Sequence, residues 1–182
     1  VHLLLEGLDK FGEILGLRLN PRKSLMVPLG SLKGRPVESL LQLLIKWETT
    51  KFKYLGIVIA HTPQDRQRYN MGRVIAGLTA SVKFWNTLPL SLMGRVAVSK
   101  MVLLPRCLYA MQNTFDRIPP VVFQQINSLL ASLIWAGRRS RVARASLMRP
   151  LTEGGLAVPN LELYNYASQL KHASRWLIDM EN

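Results

Sequence analysis

Acid is what this chain has least of. Eleven Asp and Glu stand against twenty-four Lys and Arg in 182 residues, a formal net charge of +13. Between Lys51 and Arg149 the shortage is extreme, with fifteen cations against Asp65 and Asp116 alone. The two flanks hold equal numbers of both signs, so the middle carries the whole excess. A local excess of this size implies an anionic partner, most often nucleic acid. Carboxylates are too few and too scattered to hold a pair of divalent cations, as phosphoryl transfer requires. Glu6, Asp9 and Glu13 share helical spacing but have Lys10 among them and read as a solvated face. Cysteine is limited to Cys107, which excludes an internal disulfide and a Cys-type zinc site. His2, His61 and His172 have no ligand spacing, and no Ser-His-Asp or Cys-His arrangement is suggested. No uninterrupted apolar run approaches the ~20 residues of a membrane span.

Apolar residues make up 48% of the chain, enough to bury a core. The most distinctive run is Leu88–Arg106, LPLSLMGRVAVSKMVLLPR, a helix-like segment whose charges are Arg95, Lys100 and Arg106. Ser91 is a suitable N-cap. The run reads as a largely buried helix, and buried cations are costly without a partner. No acid lies nearby in sequence, so either an external polyanion receives them or the side chains reach solvent from the helix edges.

Helical periodicity predicts a helix over Val1–Leu15, with Leu4, Leu8, Phe11 and Leu15 as its stripe and Gly16 as its stop. Leu17–Leu19 and Leu25–Leu29 read as short strands around an Asn20-Pro21 turn, and Pro36–Ile45 as a short helix. Lys51–Ala60 is strand-like, with Gly56 as bend or hairpin tip. Thr62-Pro63 opens a helix to about Asn86, with Met71, Val74, Ile75, Leu78, Val82 and Trp85 facing the core. A second helix runs to about Met111, and Pro105 should kink or end it. Pro119-Pro120 opens a third, with Val122, Ile126, Leu129, Leu130 and Leu133 on one face. Three such helices argue for a small bundle. Gly137–Arg149 reads as a basic connector and Glu153–Pro159 as a turn with a short strand. Leu161 to about Met180 reads as a last helix with Leu163, Tyr166, Ala167, Leu170 and Leu177 as its stripe. The fold expected is mainly α with a small α+β N-terminal part. Its regions are 1–60, a helical 61–136, and a connector with C-terminal helix over 137–182.

Five strings, taken in order, resemble the reverse transcriptases of LINE-type, non-LTR retrotransposons. LGLRLNPRKS (Leu15–Ser24) is similar to the palm segment after the catalytic strand, and FKYLGI (Phe52–Ile57) to the hairpin that closes the palm. KFWNTLPLSLMGRVAVSKMVLLPRCLYAM (Lys83–Met111) resembles the thumb. IW (Ile134–Trp135) and GGLAVPNLELYNYASQL (Gly154–Leu170) resemble the segment beyond it. The resemblance implies the remnant of a polymerase palm, a helical-bundle thumb, and partners in an RNA template and a DNA primer. The rest of the palm and the fingers would come from the same polyprotein. The family's Tyr-x-Asp-Asp motif and its earlier palm aspartate, which hold Mg²⁺, fall upstream of Val1. The chain alone is therefore expected to bind no metal and to catalyse nothing, although it would be part of an RNA-directed DNA polymerase. Val1, already inside an amphipathic pattern, is what a fragment would be expected to show. A location in nucleus and cytoplasm as ribonucleoprotein, without membrane insertion, is implied likewise.

The resemblance implies primer and template contact at Tyr54, Gly56, Arg95 and Lys100; Lys51 and Lys53, on the opposite face of the strand, and Arg106, in the apolar run, can reach phosphate beside them. It places Lys23 near the incoming nucleotide. As residues alone, Lys23 suits an ordinary turn, Tyr54 suits strand packing equally well, and Gly94 in mid-helix suggests close approach of another backbone. Arg138, Arg139, Arg141 and Arg144, with Arg149, form a run without acids that should follow a nucleic-acid backbone or remain solvated. Trp85, Trp135 and Trp176 read as core. A free-standing basic nucleic-acid-binding helical module and a group II intron maturase-like thumb are the competing readings.

Overall fold

A computed structural model describes residues 2–28, 45–48, 50–114 and 116–180. The expected helix at Pro36–Ile45 lies almost wholly outside them. The chain divides into two compact units, Val1–Tyr54 with Ile59–His61, and Leu55–Val58 with Thr62–Asn182.

In the first unit, α1 spans His2–Leu15 and stops at Gly16, which takes φ 67°. A 3-10 turn at Pro21–Lys23 is capped by the Asn20 side chain, which accepts from the Lys23 amide. Strand β1 (Leu25–Met26) pairs in parallel with β2 (Lys46–Trp47), Leu25 opposite Lys46. Leu17–Leu19 forms no strand. β3 (Lys51–Tyr54) and β4 (Ile57–Ala60) form a two-stranded hairpin whose tip and first β4 residues, Leu55–Val58, belong to the second unit. Its tip residues Leu55 and Gly56 take φ 44° and 84°, the positive values that a tight two-residue turn needs. Among the described residues of this unit, Pro28 and Ala60 are the buried apolar side chains. The stripe expected to be core on α1 is instead exposed at Leu8, Phe11 and Leu15.

The second unit is mainly helical, as periodicity predicts. Helix α2 (Pro63–Asn86) begins where Thr62 Oγ1 accepts from the Asp65 amide at 3.1 Å. Ser91 caps α3 (Leu92–Val98) in the same way, at 3.2 Å from the Gly94 amide. A π turn at Ser99–Leu103 joins α3 to α4 (Leu104–Asn113) without a break. Pro105 has no N–H to give to the preceding turn and would crowd its carbonyls in a regular helix. A widened turn just ahead of it lets the helix continue, so Pro105 does not end it. Helix α5 spans Pro120–Ile134.

The core is built by α2, α4 and α5. Met71, Leu78, Leu103, Cys107, Met111, Ile126 and Leu133 are nearly or wholly inaccessible. Each such aliphatic burial contributes roughly 1.5–3 kcal/mol. Trp85 packs against this cluster. A second cluster joins Val96, Ile134, Leu147 and Val158, with Trp135 against it. It draws the connector into the bundle. The segment read as an apolar-poor linker contains a short helix, α6 (Arg144–Met148), whose Leu147 is buried. The following chain folds back through Leu156 and Val158 amides that both donate to the Leu147 carbonyl. It forms no strand. A Cβ on Gly155 would run into the Arg149 carbonyl, which accounts for Gly at that position.

Helix α7 spans Leu161–Met180, but it turns a different face inward. Leu161 and Ser168 are buried, while Leu163, Tyr166 and Leu170 of the expected stripe are exposed. Gln169 donates to the carbonyls of Met111 and Thr114, so polar bonds fix the rotation of this helix. The side chains of Trp176 and Leu177 lie outside the described residues. Likewise the Leu88–Arg106 run is not buried all round: Met93 and Met101 are exposed, the latter at 77%. Its apolar circumference exceeds the width of the face that the bundle covers.

Candidate nucleic-acid interface

Arg95 is the first surprise. It is 7% exposed, and no carboxylate of the described residues pairs with it. Its guanidinium donates to Asn86 Oδ1 at 2.8 Å and to the carbonyls of Leu133, Leu90 and Leu88 at 3.1–3.3 Å. Neutral dipoles at the end of α2, in the Leu88–Leu90 turn and at the end of α5 replace its water. A fork of five donors is suited to just such a set of separate acceptors. Arg95 is therefore a brace among three segments, its guanidinium engaged within the chain. Lys100 is half-buried and donates to the Leu156 carbonyl at 3.0 Å. It too ties the helix to the chain beyond the bundle, and its ammonium keeps two further donors. Gly94 does not receive a close backbone. A Cβ there would meet Ser91 Oγ at 3.5 Å, an ordinary contact.

The cations that do face solvent converge elsewhere. The hairpin tip, α2 and α4 enclose a groove of about 570 Å³ lined by Gly56, Asn70, Arg73, Gly77, Arg106 and Tyr109, among others. Its geometry is firmly held. Buried Asn70 clamps Val58 with both ends of its amide, accepting from the Val58 N–H and donating to the Val58 carbonyl, each at 2.8 Å. Tyr109 donates its hydroxyl to the Leu55 carbonyl, and Arg73 donates to the Gly56 carbonyl at 3.1 Å. A Cβ on Gly56 would lie 3.3 Å from the Tyr109 hydroxyl. On the α4 side, Arg106 donates to the Gly77 carbonyl and to Ser81 Oγ. Arg73 and Arg106 each use one terminal nitrogen in these bonds and remain exposed. Each keeps further donors for an anion. Arg106 thus stands where the sequence suggested. Arg73 was not foreseen. Its signal was weak but present: Arg73, Gly77 and Ser81 recur every four residues along one face of α2.

A second basic depression, of about 390 Å³, lies at the end of α5. Leu92, Arg95, Trp135, Arg138, Arg139 and Arg141 line it. Ala136 and Gly137 both take positive φ there, 53° and 73°, and turn the chain back past the helix end. Three of the foreseen connector arginines are brought together in this way. Arg144 is separate and half-buried. Burial lowers its pKa, with Glu162 acting in the opposite direction. Arg149 is exposed.

In the first unit Lys51, Lys53 and Tyr54 are exposed on β3, and Lys23 is exposed on the 3-10 turn. Asp116 and Asp65, which look isolated in sequence, are both engaged. Asp116 takes a two-pronged bond from Arg66, both contacts at 2.7 Å, and Asp65 accepts from the Thr62 hydroxyl at 2.6 Å. The hydrogen bond from Arg66 holds the Asp116 carboxyl below the usual carboxylate range. Among the described residues no three His, Cys, Asp or Glu side chains gather as a metal site would require. Among them also, no helix is long and apolar enough to cross a membrane. No family model matches the chain.

Proposed function

We propose that this chain is the palm edge, thumb and following connector of a LINE-like reverse transcriptase, and that it grips the template–primer duplex. The observation that carries the reading is the groove between hairpin tip and bundle, with Arg73 and Arg106 at its lip. In the resembled enzymes the palm-closing hairpin holds the primer and the thumb lies along the duplex. Here the tip of the corresponding hairpin is fastened to two bundle helices through Asn70, Arg73 and Tyr109. The concentration of positive charge between Lys51 and Arg149 supports the same reading.

The chemistry is that of backbone recognition. Guanidinium forks match phosphate oxygens, which carry no sequence information. Recognition would depend on duplex shape and charge, as suits an enzyme that copies every position of its template. Mg²⁺ would be held by aspartates of the palm that this chain does not contain. The uncovered apolar face of α1 supports an arrangement in which more of the palm packs there.

Changing Arg73 and Arg106 together to Gln tests the reading. Binding of the 182-residue chain to an RNA–DNA duplex is measured by fluorescence anisotropy across a salt series. Loss of two phosphate contacts should reduce the log–log salt slope by roughly 1.4–1.8, with weaker binding at every sequence tried. An unchanged slope and affinity in the folded variant would overturn the proposal.

A further inference from the structure

Behind Trp135 lies a cavity that the duplex grip does not use. It holds about 210 Å³ and is lined by Asn127, Leu130 and Ile134 of α5, Val142 of the connector, Arg144 and Leu147 of α6, and their neighbours. Its walls are chiefly aliphatic. One atom is out of keeping: the Asn127 side-chain oxygen is buried and has no hydrogen-bond partner. An orphaned acceptor of this kind costs on the order of 1–3 kcal/mol. The space equals the liquid volume of about seven waters at ~30 Å³ each, but aliphatic walls suit water poorly. A flat ring with apolar faces and an N–H at its edge would fill the space and meet the amide.

The surroundings indicate what carries that ring. Trp135 and Ile134 also wall the basic depression that holds Arg138, Arg139 and Arg141. Glu162 is the acid that acts on Arg144. A ligand with an apolar heteroaromatic ring and adjacent phosphates suits both halves. We propose that the cavity takes one unstacked base of a single-stranded nucleic acid, with the Asn127 amide on the base edge and Arg138, Arg139 and Arg141 on flanking phosphates. A base within a duplex is stacked and cannot enter, so this is a separate activity from the grip, although it rests on the reading that the partner is nucleic acid. It would hold template or displaced strand beside the duplex. Base-in-pocket contact of this kind adds to phosphate attraction without demanding a particular sequence.

The test compares strands of equal charge. The 182-residue chain is titrated with labelled twelve-nucleotide single strands: RNA, DNA, and DNA whose sugars are all abasic. Base-bearing strands should bind about tenfold more tightly than the abasic strand. The ratio should approach one in Asn127→Leu, and also in Val142→Trp, which fills the cavity from an exposed position and leaves the core untouched. Affinity for RNA–DNA duplex should be the same in both variants. Comparing RNA with DNA strands shows which of the two the site prefers. Equal binding of abasic and base-bearing strands, with duplex binding intact, would overturn the cavity proposal alone. Absence of binding to any strand or duplex would overturn the nucleic-acid reading with it. A full-sized base preference in either folded variant would also defeat the proposal.

Discussion

Arg95 and Arg106 belong to one continuous helical stretch and have opposite fates. At the start of the stretch, Arg95 is sealed among carbonyls and an amide. At its far end, Arg106 sits at the lip of an open groove. In sequence both are cations in an apolar run without an acid nearby. The difference lies in what surrounds them in space. The end of α2 offers the Asn86 amide oxygen, and the turn between α2 and α3 and the end of α5 offer carbonyls with lone pairs to spare. Arg95 meets three such segments at once. A buried cation therefore need not signal an absent polyanion, and internal dipoles can satisfy it.

That comparison is broken most sharply at Arg95. Arg95→Leu keeps a long apolar stem but strands Asn86 Oδ1 and the Leu90 carbonyl, and takes one of two donors from the carbonyls of Leu88 and Leu133. Hydrogen bonds to a charged group contribute about 1.5–3 kcal/mol each at most, and orphaned acceptors add their own penalty. Destabilisation of about 3 kcal/mol or more is expected, read by denaturant melting. Duplex affinity of the remaining folded protein should be unchanged. Weaker duplex binding without loss of stability would return Arg95 to the surface role that the sequence suggested.

The sequence was legible where local chemistry decides. Thr62 and Ser91 cap helices as their side chains predict, Pro119-Pro120 opens α5, and the stripes of α2 and α5 form the core. It misled where several elements compete for one side chain. The apolar stripe of α7 is exposed because Gln169 fixes its rotation through bonds to the Met111 and Thr114 carbonyls, with Leu161 and Ser168 turned inward. Helix α6 escaped notice because five residues are too few for a period to show. At the interface, Gly56 and Arg106 could be named in advance, yet Arg73 and Asn70 could not. Their roles depend on a hairpin tip that approaches them only in the folded chain. The connector arginines were legible as a cluster, but not their separation into an exposed trio and a half-buried Arg144.

The exposed trio sharpens the contrast with Arg95. Replacing Arg138, Arg139 and Arg141 by Gln removes exposed charges that bond to none of the described residues, so thermal stability should shift by no more than about 0.5 kcal/mol. Single-strand binding should lose roughly two units of log–log salt slope, because each phosphate contact contributes 0.7–0.9 and three contacts rarely form at once. The loss should be similar for unrelated sequences. A stability loss comparable with that of Arg95→Leu would show that this trio, too, is internal.

Arg66 offers a third way to hold a cation, and the smallest expected effect. Unlike Arg95 it has an acid, Asp116, and unlike Arg106 it is engaged by that acid on both prongs. The pair is only partly screened from water, with side chains 29% and 16% exposed. Such a pair contributes about 1 kcal/mol or less. The hydrogen bond from Arg66 lowers the Asp116 pKa on folding, which fixes the sign. The contribution is complete at neutral pH and declines as pH falls below the ordinary Asp value of about 3.9 toward the lower folded value. Asp116→Asn mimics the protonated carboxyl. Its stability deficit against the unaltered chain should be about 1 kcal/mol at pH 7 and should shrink toward zero as the solution is acidified. Both chains share every other titrating group, so the difference isolates this one. A deficit that stayed constant with pH would mean that shape at position 116, and not charge, ties the start of α2 to the loop before α5.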